Sequence, residues 1–146
     1  MRLRRMLAGA LTLILACSIA RPLLRADEIP EAAPNDTVLS YEGHSYACTG
    51  IAESKYDPRW AAFPLKFVVA TVEGDYLGDF AVRIADPAGA TVMDVHCLAP
   101  WLLVDLPEGH YTATVVARGT LEKTVAVDVG TGQNEVTVHF EGIDET

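Results

Sequence analysis

Two pairings of histidine with cysteine are the residues of this chain best suited to chemistry. His44 and Cys48 stand four apart, and on a strand that spacing returns both side chains to one face. His96 and Cys97 are adjacent, so on a strand they point to opposite faces. His44, Cys48 and His96 together would form a nitrogen–sulfur set of the kind that copper or zinc takes. The same cysteines offer a competing chemistry. A metal needs free thiolates, whereas Cys48 and Cys97 could instead close a disulfide around about 50 residues, worth about 4 kcal/mol by loop entropy. The spacing fits no strong metal motif, so the bridge is the expectation and no metal or cofactor is implied.

Nucleophilic catalysis has little to build on. There is no Gly-x-Ser-x-Gly, and past the leader the serines are Ser40, Ser45 and Ser54, all in the first stretch of the domain. The acids Asp75, Asp79, Asp86, Asp94, Asp105 and Asp128 fall mostly at strand ends or turns, where turn chemistry accounts for them, and no EF-hand spacing occurs. No catalytic residue is expected. The aromatic residues Tyr56, Trp60 and Phe63 cluster in a short insert. Two readings stay open for them: a partner surface, or a staple that packs the insert onto the domain.

These residues must be delivered and positioned. Met1–Arg5 is basic and Met6–Ala16 is an apolar run, the pattern of a secretory signal, too short to span a bilayer. Residues 1–26 are therefore expected to be a signal peptide, with Ser18-Ile19-Ala20 and Ala26 as alternative cleavage signals. Ile14-Leu15-Ala16-Cys17 resembles a lipobox, which would make Cys17 a lipidated first residue and anchor the chain in the envelope. Without the leader, six basic residues face 20 acids, a formal charge of −14. That balance disfavours nucleic acid and anionic lipid as partners. An exported chain also meets an oxidising compartment, periplasmic or extracellular, which suits the Cys48–Cys97 pair. No later segment is long and apolar enough to span a membrane. Residues 27–43, acidic and rich in Pro and Ala, read as a flexible tether, leaving 44–146 as the folded domain.

From Leu65 the apolar pattern has period two and is cut by Gly and Pro turns. Phe80, Val82 and Ile84 share one face, with Ala81, Arg83 and Ala85 on the other. Asp86-Pro87-Ala88-Gly89 is a turn in which Asp caps, Pro presets φ and Gly completes the reversal. Tyr111, Ala113, Val115 and Ala117 form the next row, followed by Val125, Val127 and Val129, and then by Val136, Val138 and Phe140. Tyr111 is placed to bury its ring and give its hydroxyl to backbone near the turn that Pro107 and Gly109 bracket. Ser45–Ile51 could add an edge strand, and only Asp57–Phe63 reads as helical, with Pro58 at its start and Pro64 as its stop. The expectation is an all-β, antiparallel two-sheet sandwich of about seven strands with one short helical insert.

Leu77–Ile84, Asp86–Gly89 and Pro100–Thr112, the last containing Leu106-Pro107-Glu108-Gly109-His110-Tyr111, resemble the carboxypeptidase regulatory-like domain. The likeness spans about Leu65 to Phe140. It implies a Greek-key, prealbumin-like (transthyretin-like) sandwich and a non-enzymatic accessory or binding module whose partner is an envelope protein. The alternative carried by the residues themselves is exported copper or zinc handling through His44, Cys48 and His96.

Overall fold

The computed structural model describes residues 28–142. The signal peptide expected over residues 1–26, and Cys17 in its lipobox-like stretch, lie outside the described residues. Ten strands form: β1 (Ala32–Ala33), β2 (Leu39–Tyr41), β3 (His44–Thr49), β4 (Leu65–Thr71), β5 (Phe80–Ala85), β6 (Thr91–Cys97), β7 (Trp101–Val104), β8 (Gly109–Ala117), β9 (Leu121–Val129) and β10 (Asn134–Phe140). They make two five-stranded sheets packed as a sandwich, sheet A in the order β1-β6-β5-β8-β9 and sheet B in the order β10-β4-β7-β3-β2.

The period-two rows point where alternation requires. Leu65, Phe67 and Val69 of β4 meet Phe80, Val82 and Ile84 of β5 in the core between the sheets, with Leu102 and Val104 of β7 and Ala113 and Val115 of β8. Burying side chains of this size contributes about 1.5–3 kcal/mol each. The turn at residues 86–89 forms as its residues dictate. Gly89 N donates to Asp86 O at 2.9 Å, and Asp86 Oδ1 accepts from Ala88 N and Ala90 N. Gly89 takes a left-handed φ of 85°. Tyr111 Oη donates to Pro107 O at 2.7 Å, locking the entry to β8.

Four features depart from the sequence expectation. The sheets are mixed, because β1 runs parallel to β6 and β10 parallel to β4. Period two gives side-chain facing but not strand direction, so the pattern is silent on this. Residues 27–43, expected to be a tether, supply β1 and β2, which pair at the sheet edges, and with these two and β3 the strand count among the described residues rises from about seven to ten. Two or three residues are too few to show an alternation, although Ala33 of β1 and Leu39 and Tyr41 of β2 pack on the core beside their backbone pairing. Third, β3 is not an edge strand: it lies between β7 and β2. Fourth, the insert is a pair of 3₁₀ turns, Ala52–Tyr56 and Pro58–Ala62, rather than one helix. The second turn starts as expected, with Pro58 at its head. Asp57 Oδ1 accepts from Arg59 N at 2.9 Å. That backbone bond, helped by the Arg59 side chain, holds the Asp57 carboxyl below the usual carboxylate range.

Candidate binding face

Cys48 and Cys97 form the expected disulfide, with Cα atoms 5.5 Å apart. It joins β3 of sheet B to β6 of sheet A, and both cysteines are fully buried. The bridge takes Cys48 out of any metal set. His96 is also engaged, because it faces outward from β6 with Nε2 2.6 Å from Asp79 Oδ1 and Nδ1 3.2 Å from Pro30 O. His44 sits opposite Tyr41 in the β2–β3 hairpin. The structure therefore does not assemble His44, Cys48 and His96. Among the described residues no group of three or more His, Cys, Asp or Glu side chains could hold a metal ion.

The aromatic insert resolves unevenly. Trp60 and Phe63 are buried and pack with Ala47 and Leu103 on the outward side of sheet B. Trp60 Nε1 donates to Ser54 O at 2.7 Å, and Gln133 Nε2 donates to the carbonyls of both Trp60 and Phe63. These two residues are the staple, not a partner surface. Tyr56 alone stays out, 70% exposed. Nearby, Trp101 lies against Gly50, whose φ of 110° and lack of Cβ admit the indole: a Cβ there would fall 2.7 Å from the ring. Lys66 Nζ sits 3.6 Å from the centre of the Trp101 ring and 3.1 Å from Glu135, while Tyr76 meets the ring edge-on. The outer side of sheet B is thus largely occupied by the chain itself.

Sheet A carries its outward residues differently. Register places His96, Ala81, Val116 and Glu122 in one row across β6, β5, β8 and β9. The next row holds Asp94, Arg83, Thr114 and Thr124. Arg83 Nη2 and Asp94 Oδ2 are 3.2 Å apart, and the two threonine hydroxyls are 3.5 Å apart. Ala81 is the small residue in its row, and the sheet is dented there. The segment Glu28–Pro30, held by His96 through the Pro30 carbonyl, walls one side. The result is a groove of about 430 Å³ floored by Ala81, Val116 and Thr114 and flanked by the Arg83–Asp94 pair and Glu122. Tyr41 lies within reach of this pair. Burial pushes its phenol above the usual tyrosine range, Glu42 and Asp94 add to the rise, and Arg83 opposes it.

The groove was not among the sites expected from sequence. Its one sequence signal is the outward triplet Ala81, Arg83 and Ala85, a charged side chain between two small ones. The serines form no nucleophilic site: Ser40 and Ser45 pair across the β2–β3 hairpin, and Ser54 Oγ donates to Ile51 O. The aspartates are spread through turns and pairs, among them Asp86 in its turn, Asp79 with His96 and Asp128 with His110. No family model matches the chain, and no curated protein matches it.

Proposed function

We propose that this chain is a non-enzymatic, exported accessory module that binds a protein of the cell envelope through the outer face of sheet A. The observation that carries the reading is the groove beside Arg83 and Asp94, on the face that the chain's own connections leave open. Its mixed polar and apolar lining suits recognition of a ligand surface. The buried Cys48–Cys97 bridge supports delivery to an oxidising compartment, in keeping with the leader-like first residues. The likeness to carboxypeptidase regulatory-like domains supports a binding role on a sandwich with its sheets stacked in this way.

A photo-crosslinking residue placed at Thr124, beside the groove, tests the reading against the same residue at Tyr56 on the sheet B side. The Thr124 position is expected to give a discrete adduct with an envelope protein, lost when Ala81→Phe fills the dent. Adducts from the Tyr56 position alone, or none from either, would overturn the reading. Separately, neither Cys48 nor Cys97 should react with a thiol reagent before reduction.

A further inference from the structure

The groove's charges are unevenly matched. Arg83 is answered by Asp94 at 3.2 Å. Glu28 on the N-terminal wall and Glu122 on β9 both line the groove, and among the described residues no cation stands within ion-pairing distance of either. Between them the floor is apolar at Ala81 and Val116. The row from His96 to Glu122 crosses four strands, or about 14 Å at the usual strand spacing. An extended segment of about four residues covers that length.

Resting on the binding reading above, we infer that the groove takes an extended segment of the partner protein in which Lys or Arg side chains flank an apolar one. The cations answer Glu28 and Glu122, and the apolar side chain fills the dent at Ala81. The chain's excess of acids over bases draws such a segment in and repels acidic competitors. Long basic side chains also suit the site because their aliphatic stems can lie along Val116 while their heads reach the carboxylates.

The test measures fluorescence anisotropy of the purified exported chain with a labelled Lys-Ala-Leu-Ala-Lys peptide and its Glu-Ala-Leu-Ala-Glu counterpart. The basic peptide is expected to bind saturably and the acidic one not at all. Glu122→Lys should weaken binding about tenfold or more, Glu122→Gln less, and added salt should weaken it progressively. Glu122 is exposed, so thermal melts of both variants should match the parent. Equal binding of the two peptides, no binding of either, or indifference to Glu122→Lys would overturn the inference. If the envelope partner still crosslinks at Thr124 under those outcomes, the binding reading stands and only the chemistry assigned to its partner falls. Self-association that the basic peptide displaces would make a second copy the occupant and would likewise overturn it.

Discussion

Ala47 and Leu103 on sheet B, and Thr114 and Val116 on sheet A, all point away from the core, yet the first pair is fully buried and the second only half-buried. Alternation is the same in both sheets, so it does not explain the difference. The connections do. Residues 50–64 between β3 and β4 are long enough to fold back over sheet B and carry Trp60 and Phe63 as anchors. The connections of sheet A, residues 86–90 and 118–120, are tight reversals that cannot reach across their own sheet. One outer face has become a second, smaller core, and the other has stayed a surface. A face left open by short loops is where an accessory module would meet its partner.

The comparison can be broken or sharpened by substitution. The largest effect should come from the element that holds the two sheets as one body. Replacing Cys48 and Cys97 together by Ala should lower unfolding stability by about 4 kcal/mol in denaturant titration, from the 49-residue separation they close. Next, Trp60→Ala should cost about 3 kcal/mol, as expected of a core residue, because it empties the small cluster over sheet B and removes the indole bond to the Ser54 carbonyl. A cost under about 1 kcal/mol would show that the insert is not core and would erase the contrast between the faces. Arg83→Met on sheet A should cost less than Trp60→Ala, since its pair with Asp94 is partly exposed and ion pairs of that kind contribute about 1 kcal/mol or less. The same change should alter crosslinking at Thr124.

The smallest effect is at alkaline pH. Burial comes first in raising the phenols of Tyr41, Tyr46 and Tyr111 above their ordinary value. The folded state therefore keeps these protons longer than the unfolded chain does. Stability from this source is full below the ordinary tyrosine pKa of about 10 and declines as pH rises past it. Phenolate absorbance should rise later in the folded chain than in urea. Asp94→Asn should remove part of that delay, because its carboxylate adds to the shift at Tyr41.

Much of the sandwich was legible because β8 and β9 are nine-residue strands that alternate and, like the continuous apolar run of β4, end at Gly-containing turns. The Asp86 turn, the Tyr111 hydroxyl and the Cys48–Cys97 bridge follow from single residues whose local preferences agree with the fold. The edge strands β1 and β2 were hidden because two or three residues in an acidic, Pro- and Ala-rich stretch are too short to show a period. The binding face was only half legible. That Ala81 and Arg83 face outward can be read from period two. That Arg83 meets Asp94, and Ala81 meets Val116, depends on register between strands, which no single strand encodes. The metal triad failed because Cys48 is spent in the bridge and His96 is held by Asp79 and Pro30.

The parallel pairing of β10 with β4 fixes an order of events. Residues 65–71 are complete well before their outer neighbour, residues 134–140, which is made only after β5 to β9. Until those arrive, β4 has an unfilled side and its hydrophobic row is shielded from one direction only. A polypeptide interrupted before Asn134 would present that open margin to other molecules, so clumping of shortened products, rather than loss of binding, is the first penalty for a missing tail.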